Sequence, residues 1–407
     1  MRWLRSLLWF CLILSLLVLH RVAVGQPEWV ERWYATACFP TIQSLLSGFS
    51  SLFPISLSEC LLFGWILWGL SRLLLGLRDW HARRRSLTNL AGHAVHRLIR
   101  SAAVLYLWFL FSWGFNYARS PLSDLYEFDV TATDIEELIE LGQELIEEAE
   151  RLRIRLEESD AGTPVLTSSL EDAIEAAWER AGESYAWLAG GAPLIRPAGV
   201  SSFLTMAGIS GIYSPFTGEG HYNAQPPAFL HPHTICHEGA HARGFAREDE
   251  ANFIAFLVCR ASTEDYVRYS GYLHAFLSTW SALLRAAPKN QGHLTSLIPE
   301  SIQRDLNATR AFWSRKRSRI ERAVRDVASR SNDRYLKVHG QSDGVESYGR
   351  VVDLLLAERR LRSAPKQTDS DGPESDERDA QETSSNAPTR LRPEPAASDD
   401  ESRAGGR

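Results

Sequence analysis

Residues 237–241 read His237-Glu238-Gly239-Ala240-His241, an HExxH motif. On an α-helix, two histidines four residues apart project from the same face, so their imidazoles can bind one Zn²⁺ ion. The glutamate beside the first histidine can then act as general base on the attacking water. The motif therefore predicts zinc ligands at His237 and His241 and a catalytic base at Glu238. Because the chain has 12 histidines in 407 residues, chance can also produce such a pentapeptide, and the neighbouring sequence decides its meaning.

The residues after the motif predict a turn and a third ligand. Gly244 stands three residues after His241, where a left-handed conformation would end the helix. A second helix is predicted from Glu248, with acidic residues in its first turn and an apolar continuation to Cys259. A catalytic zinc needs a third protein ligand and one open position. Glu248 and Glu250 can each supply this ligand, but they point in different directions; we expect Glu248 to bind the metal.

A short string in this second helix resembles elements of known zinc peptidases. Glu248-x-x-Ala251-Asn252 resembles the Glu-x-x-Ala-Asp element of membrane gluzincins of the HtpX-like and CAAX-protease kind. The resemblance implies that Glu248 binds zinc and that Asn252 supports a ligating histidine. Two features depart from that pattern, because Asn replaces Asp and the element follows His241 by only seven residues. The short spacing, with Gly244 between, is similar to the metzincin arrangement.

Three apolar stretches near the N-terminus are long enough to cross a bilayer, which takes about 20 helical residues. They lie within a membrane region of residues 1–120, at about residues 7–24, 57–77 and 99–117. The first stretch also fits a cleaved signal peptide, because Arg2 and Arg5 precede its leucine-rich core. The two further stretches favour an uncleaved anchor and a multi-pass protein of the cell membrane.

The arginines predict the orientation of these spans, since cytoplasmic loops are enriched in basic residues. The loop between the first two spans holds only Arg32, whereas the loop before the third is crowded with Arg78, Arg83, Arg84, Arg85, Arg97 and Arg100. The N-terminus is therefore predicted to be cytoplasmic and the domain with His237 to be extracytoplasmic. A net charge of −6, without a basic stripe interleaved with aromatic residues, gives no reason to expect a nucleic-acid partner.

Residues 121–362 are predicted to form the domain that carries the motif. Apolar residues at helical spacing predict helices at about residues 133–158, 169–188, 264–287 and 300–329. Residues 199–204 and 208–216 combine β-branched or aromatic residues with Gly and Pro, as short strands and turns do. Residues 363–407 contain almost no apolar side chains, which predicts a disordered acidic tail.

Several polar residues outside the motif are candidates for substrate contact. The segment 208–216 is the expected wall of a peptide-binding cleft, because an exposed strand edge can hold a peptide backbone as an added strand. Further candidate ligands or substrate contacts are His221, His231 and His233. Three residues are candidates for stabilising an oxyanion opposite the metal: Tyr335, His339 and Tyr348.

The two cysteines near the motif allow two interpretations. Cys236 and Cys259 could pair in an oxidising compartment. Cys236 directly precedes His237, and the alternative, which we favour, is that it is a small buried residue.

The chain from Ser210 to Cys259 resembles the bacterial membrane proteins grouped as domain of unknown function 3810. The resemblance rests on Gly211-Ile212-Tyr213-Ser214-Pro215-Phe216-Thr217-Gly218-Glu219 and on the motif with its continuation to Phe253. It extends over most of residues 1–360 through Phe115-Asn116-Tyr117-x-Arg119-x-Pro121-Leu122, Tyr335-Leu336-Lys337 and Gly340-Gln341-x-x-Gly344-Val345-x-Ser347-Tyr348. It implies three N-terminal spans and a zincin-like domain, and it implies no particular substrate.

Together these patterns predict a mainly α fold with a small β element, in which three transmembrane helices precede a zincin-like α+β metallopeptidase domain. The expected activity is zinc-dependent hydrolysis of a peptide or protein substrate. One alternative is an envelope scaffold or binding protein with a structural zinc site, although Glu238 has no use in such a site. A zinc amidase acting on a non-peptide cell-envelope substrate is the other alternative.

Overall fold

The structure, a computed structural model, describes residues 2–82, 86–126, 128, 130, 134–286, 298–315, 318–338 and 350–363. Within them the chain is mainly helical with one three-stranded sheet, which confirms the predicted fold class at this level. A single compact unit ends at Ser363. The predicted tail after Ser363 lies outside the described residues.

Fifteen α-helices, numbered here in chain order, are found in the described part of the chain. They are α1 (Arg2–Val24), α2 (Pro27–Trp29), α3 (Phe39–Ser51), α4 (Leu57–His81), α5 (Leu87–Ser112), α6 (Leu122–Leu125), α7 (Ile135–Arg153), α8 (Leu170–Ser184), α9 (Ser201–Ala207), α10 (His231–Ala242), α11 (Glu248–Ala261), α12 (Asp265–Ala286), α13 (Glu300–Ser314), α14 (Arg319–Val338) and α15 (Val351–Ser363). A π-helix and three 3-10 turns connect them at Val30–Cys38, Gly114–Ala118, Ala186–Leu188 and Ala228–Leu230.

Three of these helices are long and apolar enough to cross a membrane. Their apolar segments are Leu7–Val24, Leu57–His81 and Thr88–Ser112. The first two agree with the stretches expected from the sequence. α1 packs against α5, while the Leu57–His81 segment has no side chain buried within the protein. Such apolar exposure is what a helix surrounded by lipid requires.

The third span differs from the sequence prediction of residues 99–117. The apolar helix covers Thr88–Ser112 and ends at Trp113, whose φ of −161° leaves the helical path. Trp113 and Tyr117 are instead buried among protein side chains, where the 3-10 turn enters the domain. Hydropathy cannot separate an aromatic residue that faces lipid from one that fills a protein core, so the predicted boundary was wrong.

The main core of the domain surrounds α11. Its residues Ile254, Leu257 and Val258 are fully buried, and the helix packs against α8, α10, α12 and α15. α7 begins as predicted, with the Asp134 carboxylate accepting a hydrogen bond from the Ile135 N–H. This helical layer fixes α10 and α11 side by side.

The helix predicted over residues 300–329 is two helices, α13 and α14. Arg315 adopts an extended conformation with ψ 145° and ends α13. The Ser318 hydroxyl then accepts the Glu321 N–H at 3.1 Å, and the Glu321 carboxylate accepts the Ser318 N–H at 2.7 Å. This reciprocal capping box starts a new helix, so the prediction of one continuous helix was wrong.

The sheet contains β1 (Ile195–Pro197), β3 (Glu219–Tyr222) and β2 (Gly211–Ser214), in that spatial order. β1 runs parallel to β3 and β2 runs antiparallel to it, which leaves β2 at an edge. The strand expected within residues 208–216 is therefore confirmed. Residues 199–204 were wrongly expected as a strand, because they enter α9, which Gly208 ends in a left-handed conformation with φ 76°.

Candidate metal centre

The two histidines of the motif converge on one point. They lie one turn apart on α10, and their Nε2 atoms are 3.1 Å apart. α10 ends at Ala242, and Gly244 follows it in the predicted left-handed conformation with φ 84°. A Cβ atom at this position would lie 2.8 Å from the Phe39 ring, so both the backbone conformation and the close packing require glycine.

Glu248, the first residue of α11, completes a group of three ligand atoms. Its Oε2 atom lies 3.3 Å from Nε2 of His237 and 3.7 Å from Nε2 of His241. A tetrahedral zinc ion with bonds of about 2.0–2.1 Å places its ligand atoms about 3.3 Å apart. The donor set and its spacing therefore fit zinc, and these three side chains are the residues that would hold it.

Glu250 does not point toward this group. It is buried, accepts the Leu122 N–H at 2.8 Å and accepts a hydrogen bond from Arg247 at 3.1 Å. Its carboxylate thus fastens the segment that follows the third apolar helix to the start of α11. The geometry places Glu248, and not Glu250, beside the histidines.

Asn252 lines the same cleft as the histidines. However, the Nδ1 atom of His241, which faces away from the cluster, lies 2.8 Å from the main-chain oxygen of Phe245. The Nδ1 atom of His237 is buried without a hydrogen-bond partner among the described residues. The resemblance implied that Asn252 supports a ligating histidine. For His241 this supporting contact is made instead by the main-chain carbonyl of Phe245.

Glu248 and the two histidines each favour the charged form of the other. Burial alone would lower the pKa of His241, but the adjacent Glu248 carboxylate outweighs it and raises the pKa to about 9. For Glu248, burial acts to raise the pKa, and the two imidazoles reverse this and hold it well below its usual range. In the metal-free protein these two pKa shifts favour an ion pair between protonated His241 and the Glu248 carboxylate.

Glu238 lies beside the cluster with one oxygen unused. It is buried, and its Oε2 atom has no hydrogen-bond partner in the described part of the chain. Burial raises the pKa of its carboxyl group, an effect that His237 and His241 oppose. β2 leaves room for this side chain, because a Cβ atom on Gly211 would lie 2.3 Å from Glu238 Oε1.

The cluster lies in a cleft of about 840 Å³. One wall is the segment from Ala207 to Tyr213, and the opposite wall is α14, which contributes Arg325, Asn332 and Tyr335. A larger cleft of about 1100 Å³ lies between α3 and the loop before β1, and none of the metal-cluster residues line it. The residues of the candidate metal cluster thus line the cleft that β2 and α14 also line.

The comparison with known families agrees with the resemblance noted from the sequence. The family described as protein of unknown function (DUF3810) matches residues 34–356. The chain belongs to the DUF3810 family. No curated protein and no solved structure shows a significant match to it. The functional evidence for this DUF3810 protein is therefore the arrangement of its own residues.

The remaining sequence candidates fall in different places in the DUF3810 protein. Tyr335 lines the cleft, and its ring lies 5.6 Å from that of Tyr117. His221 lies on the opposite face of the sheet, where its Nε2 atom is 2.8 Å from the Ser56 hydroxyl, so the structure does not bring it to the cluster. His339 and Tyr348 lie outside the described residues.

Two further histidines line the cleft: His233, which is a candidate from the sequence, and His274, which sequence reasoning missed. The rings of His233 and His274 stack with their centroids 3.9 Å apart, and the ring centroids of His233 and His237 are 6.4 Å apart. His274 Nε2 is buried and has no partner among the described residues, while burial lowers the pKa of His274 to about 4. A neutral imidazole with an unused nitrogen at this wall is suited to hydrogen-bond a substrate.

Cys236 and Cys259 are buried thiols rather than a disulfide. Their sulfur atoms are 3.8 Å apart, whereas a disulfide bond is about 2.05 Å long. The preferred interpretation of Cys236 as a small buried residue is confirmed. Because the Cys236 thiol contacts α11 on the side of the core, it is not available as a fourth ligand beside the histidines.

Zinc binding is expected to release about one proton at pH 7.5. In the metal-free protein His241, with a pKa of about 9, is protonated at this pH and must lose the proton to become a ligand. Below pH 9 the zinc affinity should therefore fall about tenfold for each unit of decreasing pH. Isothermal titration calorimetry in two buffers of different ionisation enthalpy measures the proton count, and a count near zero at pH 7.5 would contradict the ion pair described here.

Proposed function

We propose that this DUF3810 protein is a membrane-anchored zinc metallopeptidase with its site on the extracytoplasmic side. The observation that carries the proposal is the convergence of His237, His241 and Glu248 on one point, beside Glu238 Oε2, which has no hydrogen-bond partner in the described part of the chain. The arginine distribution described above supports the orientation. The three apolar helices support the anchor.

The reaction would be hydrolysis of an amide bond. Zinc, held by His237, His241 and Glu248, would supply Lewis-acid polarisation and acidify a water molecule toward neutral pH. Glu238 takes a proton from the attacking water and delivers it to the leaving amine nitrogen. Burial suits Glu238 to both steps, because it raises the pKa of the carboxyl group toward the range in which protons are gained and lost readily.

The edge of β2 offers a place for a peptide substrate. The Asn223 N–H donates to the Ser210 carbonyl at 2.7 Å. In an antiparallel pair every second residue forms such main-chain hydrogen bonds with the partner strand, so Ser210 and Ile212 face β3. Main-chain groups of Gly211 and Tyr213 then point to the free edge. An extended peptide can bind there as an additional strand, with its scissile bond beside Glu238.

Two groups on the other walls are placed to stabilise the developing negative charge. Tyr335 projects from α14 into the cleft, and burial raises its pKa so that it remains a hydroxyl donor. His274 presents its unused Nε2 from α12. A donor directed at the developing oxyanion contributes to catalysis electrostatically.

The structural-zinc alternative is less consistent with these contacts. A structural site uses four protein ligands, and the described residues supply only His237, His241 and Glu248. Among the described residues, Glu238 Oε2 is buried without a hydrogen-bond partner, which is unfavourable for folding and is understandable where the oxygen acts on a substrate. The free edge of β2 favours a peptide over a non-peptide amide.

The direct test is metal-dependent cleavage of a randomised peptide library by the full chain in lipid nanodiscs. With one equivalent of zinc bound, mass spectrometry should detect hydrolysis at internal amide bonds. Chelation should remove the activity, and stoichiometric zinc should restore it. Tight binding of one zinc ion without any amide hydrolysis would count against the peptidase assignment.

A further inference from the structure

We propose that the substrate is a polypeptide anchored in the same membrane and cut within about six residues of its own span. The proposal rests on the proposed function and names its substrate class. It follows from the position of the cleft relative to the ends of α4 and α5.

The end of the third apolar helix lies directly against the metal cluster. Trp113, the residue after the span Thr88–Ser112, donates from its indole Nε1 to the main-chain oxygen of His241 at 2.9 Å. The Trp113 and His241 ring centroids are 6.1 Å apart. The zinc ligand is therefore one side chain away from the level at which α5 leaves the bilayer.

The start of the second span holds the other side of the sheet. Glu219 on β3 is fully buried and accepts the N–H groups of Leu57 and Ser58, the first residues of α4. His221 on the same strand contacts Ser56, the N-cap of that helix. A carboxylate at a helix N-terminus is stabilised by the helix dipole, so these contacts fix β3 over the beginning of the span.

The substrate-binding edge is held between these two span ends. Ile212 on β2 pairs with His221 and shares its face, toward Ser56. Tyr213 faces the other way, and its ring lies 5.6 Å from Trp113. Both span ends lie on the same side of a membrane crossed in sequence by α1, α4 and α5. A peptide paired with β2 therefore lies at the membrane surface.

Exposed apolar side chains occur in the part of the domain next to the start of α4 and the end of α5. We call them the interface patch, and they are Leu45, Phe49 and Leu52 on or just after α3, Phe203 on α9 and Ile212 on β2. Leu52 is 75% exposed and Phe203 is 52% exposed. α3 is tied to the turn between β2 and β3, where the Ser50 hydroxyl donates to the Thr217 carbonyl at 2.7 Å. A large exposed apolar surface beside membrane spans is suited to the headgroup region.

These positions limit how far a substrate must extend. The distance from the end of α5 to the cluster is about two side-chain lengths, and an extended chain spans about 3.3–3.6 Å per residue. A polypeptide leaving the bilayer beside α5 would therefore reach Glu238 after about three to six residues. The strand edge of β2 favours a polypeptide over a lipid, because it recognises successive main-chain amides.

The test uses zinc-binding probes rather than turnover. The full chain is loaded with Co²⁺ in nanodiscs, and the visible spectrum reports hydroxamate binding at the metal. The hydroxamate is attached to a single-span peptide anchor through four extended residues, through twenty residues, or through a polyether of the four-residue length. The same four-residue hydroxamate without an anchor is the reference.

We expect the short anchored peptide probe to reach half-saturation at least about tenfold below the unanchored reference, because a linker that spans the distance raises the effective concentration. Equal binding of these two probes, or tighter binding of the twenty-residue probe, would overturn the proposal and leave the peptidase assignment intact. Equal binding of the polyether and peptide probes would exclude recognition of a polypeptide. A cobalt-loaded protein that binds none of the hydroxamates would overturn the proposed function itself.

A matched pair of variants separates membrane proximity from general stability. Phe203→Asp places a charge in the interface patch. It should reduce the ratio of half-saturation concentrations between the unanchored and the short anchored probe at least about threefold. Ile154→Asp changes a side chain of similar size that is 71% exposed at the end of α7. This control should leave the ratio unchanged, and an equal loss in both variants would contradict the role of the patch.

Discussion

Glu238→Gln should abolish hydrolysis while zinc remains bound. The three ligands are untouched, and glutamine has almost the same volume as glutamate, so metal affinity and folding should change little. Glutamine cannot accept a proton, and loss of a general base typically costs 10²–10⁴-fold in rate. We expect a loss of at least about 1000-fold, measured as cleavage of the peptide library with zinc content determined on the same sample.

The appropriate control is Glu219→Gln, which changes another buried glutamate near the sheet. Glu219 is bonded to the start of α4 and lies on the β3 segment outside the metal cluster. This variant should retain turnover at the metal, although its stability should fall because a buried charge-assisted hydrogen bond is weakened. Retention of more than about one tenth of the activity in Glu238→Gln would exclude Glu238 as the base.

The two helices that carry the candidate metal ligands could be predicted because their signals are local. The spacing of His237 and His241 depends only on helical geometry, and Gly244 is required by a positive φ at one position. Glu248 was harder to assign, since Glu248 and Glu250 both fit an acidic helix start. Only the folded structure shows that the Glu250 carboxylate accepts a hydrogen bond from the Leu122 N–H and therefore does not face the histidines.

The residues that the sequence did not identify reach the cleft through long-range contacts. His274 belongs to α12 and meets His233 by packing between two helices. Trp113 reaches His241 from the end of α5, and its apolar surroundings in the sequence matched a membrane span. Neither contact has a periodicity or spacing that a linear pattern could reveal. Gly211 likewise had a turn-like context, and its role in making room for Glu238 depends on the packing of β2 against α10.

Glu248→Gln is expected to weaken zinc binding by at least about 100-fold, because replacing a direct ligand should exceed the 10- to 100-fold losses known for supporting residues. The amide oxygen is a neutral and poorer ligand than the carboxylate that lies 3.3 Å from His237. The loss is measured by competition with a chromogenic zinc chelator at pH 7.5. In the same variant His241 loses the charge that raises its pKa, so zinc binding should also release fewer protons.

Glu250→Gln is the matched substitution in the same turn, and its expected effect is of a different kind. The Glu250 carboxylate holds the Leu122 N–H and the Arg247 side chain, so its loss should lower the free energy of unfolding by about 1–3 kcal/mol. Zinc affinity should stay within about threefold of the parent, since losses that follow from a changed ligand are far larger. If Glu250→Gln instead lost zinc while Glu248→Gln kept it, the third ligand would be Glu250. In that case α11 would have to rotate on metal binding, because the two carboxylates point to opposite sides of its first turn.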